Sequence, residues 1–314
     1  MGVQDRAFQV MGTGARLVLH AAGGSDVAGA LARAEDAARA IESRFSRFIE
    51  TSELSRLNAS NGSWFDASPE LRAVLALALD LHRETDGLFD PAILPALERA
   101  GYDTSFEHLA PQAELTAEPP RREEHFDVEI AGDRVRLAPG LRIDLGGIVK
   151  GWTADRLADE LARHGAALVD LGGDCALRGE PPEGRWVVAV ERPDRSGEPL
   201  ASLALRSGGV ATSGTNRRRW RTGDRWAHHL IDPRTGAPAE TDLAQVTALH
   251  PSAARAEVWA KTALVAGSIA AMALAGRVAG LELVLVPNTG VPLATAGAVA
   301  AATDGIRHGE VTRA

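Results

Sequence analysis

The chain has 314 residues, 45% of them hydrophobic and 24% charged, which is enough to bury a core without disulfide or metal staples. A net charge of −8 argues against nucleic acid or an anionic membrane as the main partner. The single cysteine, Cys175, excludes an internal disulfide framework and any multi-cysteine metal site.

The first residues, Met1-Gly2-Val3-Gln4-Asp5-Arg6, lack the basic start and apolar run of a signal peptide, so a cytoplasmic protein is expected. Alternation over 8–19 reads as two strands around a Gly-Thr-Gly turn. Helical spacing follows at 27–45, where Ala30, Leu31, Ala34, Ala38 and Ile41 share a side. Ser52 opens a short helix, and Pro69 starts a longer one that stops near Asp86-Gly87. The stretch 111–125 is rich in Pro and charge and reads as a surface excursion. A hairpin around Ala131-Gly132-Asp133 comes next, then a buried strand into Asp144 and a helix over 148–164. Strands are expected at 167–171, 186–191, 202–205, 210–211, 217–221 and 227–231, the last two forming a hairpin at Thr222-Gly223-Asp224. After a strand at 246–249 comes a helix near 256–266, then a strand at 281–286 and a last strand pair. The Ala-rich stretch 258–279 carries Lys261, Ser268 and Arg277, which suits a buried helix rather than a membrane span. Strands outnumber helices and hairpins recur, so the fold class is α+β with mostly antiparallel sheets and packed helices.

The segment Asp144-Leu145-Gly146-Gly147-Ile148-Val149-Lys150-Gly151 concentrates the chemistry. Glycines let backbone N–H groups approach an anion, a helix N-terminus favours negative charge, and Lys150 adds a full cation. Gly-Gly before a helix is also ordinary turn chemistry, and both readings stand. No Gly-Lys-Ser/Thr is present at Walker spacing, and Gly172-Gly173-Asp174 lacks the third glycine of a dinucleotide fingerprint. In His228-His229-Leu230-Ile231-Asp232-Pro233-Arg234-Thr235-Gly236, the last five residues are good turn formers. Adjacent histidines on a strand face opposite ways, so one of the two, His229, is the candidate for phosphate binding or proton transfer. Glu257 and Lys261 are four apart on a helix, the spacing of an ion pair. The phenylalanines of Phe45-Ser46-Arg47-Phe48 and Gly87-Leu88-Phe89-Asp90-Pro91 read as core, or as a stacking surface for a planar ring.

Met11-Gly12-Thr13, Phe45-Ser46, Ser52-Glu53-Leu54, Gly87 to Pro91, Asp144 to Gly151, Gly172-Gly173-Asp174, Thr212-Ser213-Gly214 and His229 to Gly236 run in an order that resembles the FAD:protein FMN transferases, the ApbE-like family. The likeness extends from Met11 to the helix at Glu257. It implies a T-fold-related architecture, with 1–314 forming a single flavin transferase domain that has room for two intimate lobes divided near 111–125. It also implies FAD contacts at Met11, Phe48 (commonly tyrosine in the family), Leu88, Phe89, Asp90, Asp144, Gly146, Gly147, Lys150, His229, Leu230 and Ile231. Lys150 and His229 are the implied catalytic residues.

The implied reaction joins FMN from FAD to a Ser/Thr hydroxyl, in a short motif of an FMN-binding acceptor domain, and releases AMP. A non-catalytic FAD-binding protein and an FAD pyrophosphatase giving FMN and AMP are the alternatives. The family's magnesium ion is held by a backbone oxygen at the position of Gly147 and by an Asp and a Thr four apart, here Glu257 and Lys261. Glutamate keeps a hard oxygen ligand, whereas an ammonium has no lone pair and repels a divalent cation. The expectation is that Lys261, held by Glu257, partly replaces the metal and faces the FAD phosphates.

Overall fold

The computed structural model describes residues 2–21, 26–105, 126–194, 196–216, 218–222 and 225–306. The chain forms two compact units, one from residues 1–40, 150–216 and 241–314, the other from 41–149 and 217–240. The expected division near 111–125 lies in a segment outside the described residues. Gly223 and Asp224, in the expected hairpin turn, lie outside them too.

The first unit is built on an eight-stranded sheet in which spatial order follows chain order: Gly2–Val10, Thr13–Ala21, Gly165–Leu171, Asp174–Arg178, Gly208–Gly214, Leu243–His250, Glu282–Pro287 and Leu293–Ala294. Every pairing in it is antiparallel. Its hairpins are tight. The first turns at Met11-Gly12, with φ of 54° and 63°, so the turn begins one residue before the expected Gly-Thr-Gly site and shares Gly12 with it. The Gly172-Gly173 turn also has two positive φ values, 70° and 94°, the type that matches strand twist, and it delivers Asp174 as the first residue of the next strand. Leu17, Leu19, Val169 and Leu171 of the sheet pack with Ala30, Leu31, Ala34 and Ala38 of one helix and Leu157, Ala158 and Leu161 of another. A separate hairpin, Trp186–Val190 with Ala201–Leu205, closes a smaller core with Val284, Val286 and Ala298.

One helix of this unit caps the amino end of another. The Asp155 carboxylate, from the helix Val149–Leu161, accepts the Ala253 and Ala254 N–H groups at 3.0 Å each and the Ser252 hydroxyl at 2.7 Å. An anion at a helix N-terminus satisfies orphan donors and the dipole together. The helix it caps, Ala253–Ala266, is buried along almost its whole length. Gly267 at φ 83° ends it, and the following helix, Ser268–Ala275, buries only Ala271 and leaves Ile269 89% exposed. The Ala-rich stretch is therefore two helices, and only the first is buried. No described helix is long and apolar enough to cross a membrane.

In the second unit, Ser52 caps Glu53–Ala59 and Ser68 caps Pro69–Glu84. Buried Glu53 accepts the Ser68 N–H at 2.6 Å and its hydroxyl at 2.7 Å, so the Ser52-Glu53-Leu54 motif braces these caps. Phe65–Asp66, Arg134–Leu137 and Val128–Ala131 make a small antiparallel sheet. Leu97, Tyr102, Trp220, Ala227 and Ile231 form a core beneath the hairpin Arg219–Thr222/Arg225–His228.

Two expected strands are absent. Residues 141–145 bury Leu141, Ile143 and Leu145 in alternation, as a strand would, but belong to no sheet. Their backbone bonds go elsewhere: the Asn58 side chain donates to Ile143 O and accepts from Ile143 N–H, both at 2.9 Å, and Asp144 N–H donates to Pro91 O at 2.8 Å. The last strand pair is one short strand, Leu293–Ala294, followed by the helix Ala296–Ala301. The family-independent expectation stands otherwise: the fold is α+β with mostly antiparallel sheets.

Candidate active site

In the first unit, four charged side chains converge. Lys150 lies in the first turn of Val149–Leu161, Glu257 and Lys261 on Ala253–Ala266, and Asp174 directly after the Gly172-Gly173 turn. Lys150 Nζ and Lys261 Nζ both donate to Glu257 Oε1, at 3.0 and 2.8 Å. Lys150 also pairs with Asp174. The other oxygen, Oε2, accepts Gly151 N–H at 2.8 Å. Only glycine permits that contact, because a Cβ on Gly151 would lie 2.4 Å from Ala253 O and 2.8 Å from Ala254 Cα. The carboxylates are deep, with Glu257 1% and Asp174 4% exposed, while the ammonium-bearing chains of Lys150 and Lys261 keep 17% and 19%. Burial would push the Glu257 carboxyl up, but the Lys150 and Lys261 charges, with the Lys261 and Gly151 hydrogen bonds, pull it down to about 2.

This geometry revises the expected cradle. Gly151 N–H belongs to Glu257, and Ile148 and Val149 N–H groups both donate to Leu145 O at 3.0 Å. In the second unit, Gly146 N–H donates to Asp144 Oδ2 at 3.0 Å. These four amides are engaged within the protein.

The residues at the implied magnesium position do not fit a divalent ion. Both Glu257 oxygens are taken by cationic or N–H donors, and the neighbour at the second ligand position is itself an ammonium. Thr262 Oγ1 is buried without a hydrogen-bond partner, but it is turned about 140° around the helix from Glu257. Among the described residues, no group of three or more His, Cys, Asp or Glu is placed to hold a metal.

In the second unit, Arg47 is the organising residue. Its guanidinium donates to Tyr102 O at 2.6 Å, pairs with Asp144 Oδ1 at 3.2 Å, and lies 4.1 Å from the Phe48 ring centroid and 4.7 Å from that of Tyr102. Phe48 is 41% exposed and meets Tyr102 edge-on. Leu88 is partly exposed, but Phe89 and Asp90 are buried. Asp90 caps the turn Pro91–Ile93 through Ala92 N–H, and Phe89 O is engaged by His82 at 2.9 Å.

The histidine pair divides its roles. His228 Nδ1 accepts Leu230 N–H at 3.3 Å, so Nε2 carries the proton and donates to Ala239 O at 3.2 Å. Burial lowers its pKa, with the Ala239 bond opposing. His229 is partly exposed, with Nδ1 3.4 Å from Arg218 O. Leu230 and Ile231 are buried. Asp232 accepts Arg234 N–H at 2.9 Å and pairs with its guanidinium at 2.7 Å, so Asp-Pro-x-Thr-Gly is a self-braced turn.

Asp174 and Arg47 are site residues that sequence reasoning did not single out, although each lies inside a motif it quoted. The signal for Asp174 was the acid directly after a Gly-Gly hairpin turn. Arg47 was hidden between two phenylalanines.

The ApbE family's sequence profile matches residues 11–285. The FAD:protein FMN transferase of Salmonella typhimurium is 29% identical over 256 residues, 78% of this chain and 73% of that protein. That of Treponema pallidum is 31% identical over 261 residues, 76% of this chain and 71% of its own length. The crystal structure of the ApbE protein of Thermotoga maritima matches with a TM-score of 0.83 at 25% identity, covering 94% of this chain and 98% of that one. The chain belongs to the ApbE family.

Proposed function

We propose that this protein transfers FMN from FAD to a Ser or Thr hydroxyl of an acceptor protein and releases AMP. The observation that carries the reading is the family match over residues 11–285, which includes each motif quoted above. In the reaction, the acceptor oxygen bonds to the FMN-side phosphorus, the bridging P–O bond breaks, and AMP departs with the bridging oxygen. Such a transfer needs the pyrophosphate charge neutralised and the attack held in line.

Lys150 is assigned to the pyrophosphate and His229 to taking the hydroxyl proton or orienting the leaving phosphate. Met11, Phe48, Leu88 and Asp144 are assigned to the flavin nucleotide. Gly146, Gly147, Phe89, Asp90, Leu230 and Ile231 belong to the same proposal. Because Phe89, Leu230 and Ile231 are buried, their share in it is mainly backbone. Single-domain behaviour of residues 1–314 is likewise proposed, with an acceptor bearing a Ser/Thr motif in an FMN-binding domain.

The occupied carboxylate at Glu257 favours a second reading, FAD binding without turnover. One experiment separates the two. The protein is incubated with FAD and an FMN-binding acceptor domain, and the acceptor is weighed by mass spectrometry while nucleotides are separated. Covalent FMN with equimolar AMP supports transfer. Free FMN and AMP without the adduct supports hydrolysis, and intact bound FAD supports the binder.

A further inference from the structure

We infer that Lys150 and Lys261 form a built-in cation that replaces a divalent metal and receives the phosphate oxygens of the dinucleotide. The inference rests on the FAD reading above and adds how that site is charged. Three observations carry it. Both ammonium groups rest on one oxygen, Glu257 Oε1, at 3.0 and 2.8 Å, so a single buried carboxylate sets their spacing. The carboxylates lie beneath, at 1% and 4% exposure, and the lysines rise to 17% and 19%, so the outward side of the cluster is cationic. Gly151 N–H donates to Oε2, which holds the carboxylate plane, so both carboxylate oxygens already serve protein donors.

An ammonium offers three N–H donors, and Lys261 uses one of them on Glu257, which leaves others for an anion. Because Lys150 is present in either case, Lys261 alone brings one positive charge where a magnesium ion would bring two. With threonine at 261 and a divalent ion bound, the same four positions would carry one more positive charge than they do here. The lysine arrangement is nevertheless permanent: it needs no ion from solution, and it is insensitive to chelators.

The test measures FAD binding by quenching of flavin fluorescence, in protein stripped with EDTA and in protein supplied with Mg2+. The wild-type dissociation constant is expected to agree within twofold between the two conditions. Mn2+ titration followed by electron paramagnetic resonance is expected to show no stoichiometric site that Glu257→Gln abolishes. Lys261→Thr is expected to weaken FAD binding in EDTA by tenfold or more. Lys261→Arg, which keeps the charge, is expected to stay within a few fold of wild type and shows that any loss is not one of folding. The proposal is overturned if wild-type FAD binding requires Mg2+, if Mn2+ occupies a Glu257-dependent site, or if metal-free protein binds no FAD. Failure of the function reading looks different: FAD binds metal-free protein, yet FMN never reaches an acceptor. Transfer that proceeds only with Mg2+ overturns the built-in cation and leaves the transferase reading intact.

Discussion

Lys150 and Lys261, on two different helices, donate to the same oxygen of Glu257 at 3.0 and 2.8 Å. Two like charges so placed would repel, and the buried carboxylate between them makes the arrangement favourable. A residue pair four apart, readable as a surface ion pair, thus becomes the base of a three-residue bridge once Lys150 arrives from 107 positions away.

Removing the central charge should unsettle the cluster and weaken the fold. Glu257→Gln is expected to destabilise the protein by about 3 kcal/mol, the lower end for breaking a buried ion pair, because both lysines can still reach water. Urea denaturation at neutral pH measures this. No change in midpoint would show that the pair is not formed in solution.

The same carboxylate predicts an acid limb of stability. Its folded pKa is lowered from 4.5 to about 2, so the native state binds fewer protons than the unfolded chain between those values. The stabilisation is complete above pH 4.5 and declines as pH falls toward 2. Denaturation midpoints at pH 6, 4 and 3 should fall more steeply in wild type than in Glu257→Gln. Parallel curves would contradict the assignment.

Gly151→Ala forces a methyl group to within 2.4 Å of Ala253 O. The two helices must part, and the Gly151 N–H to Glu257 bond lengthens. A loss of about 1–3 kcal/mol is expected, as for overpacking elsewhere. FAD affinity should fall as well, because Lys150 and Lys261 are positioned by those same helices. A variant as stable as wild type would mean that the contact relaxes freely.

Thr262 supplies a contrast. Its hydroxyl is buried and unpartnered, so Thr262→Val keeps the shape and removes an unsatisfied polar atom. Stability should stay level or rise by about 1 kcal/mol, with transfer unchanged. Loss of transfer in a folded Thr262→Val protein would give the hydroxyl a role that the built-in cation does not allow it.

Much of the fold was legible because local signals agreed with tertiary packing. The spacing of Ala30, Leu31, Ala34 and Ala38 marked the helix Val27–Phe45, and Pro69 marked the start of Pro69–Glu84. Residues 141–145 misled because alternation reports burial on one side, not the identity of the hydrogen-bond partner. There the Asn58 amide stands in for a neighbouring strand. The Ala-rich stretch misled in another way, since composition does not show that Gly267 turns the chain and leaves Ile269 in solvent. At the site, the Glu257–Lys261 pair followed from helix geometry, while Asp174 and Gly151 joined it only through contacts distant in sequence. The glycine motif pointed to an anion, yet Gly146 and Gly151 amides turned out to serve protein carboxylates.

FMN transfer supported by a lysine pair in place of a metal is read out in the acceptor's mass. An FMN-binding acceptor domain is incubated with FAD and the protein in excess EDTA, then weighed intact. The expected result is an acceptor heavier by one FMN less a water, with equimolar AMP and no acceleration on adding Mg2+. An acceptor that stays unmodified until Mg2+ is supplied would contradict it.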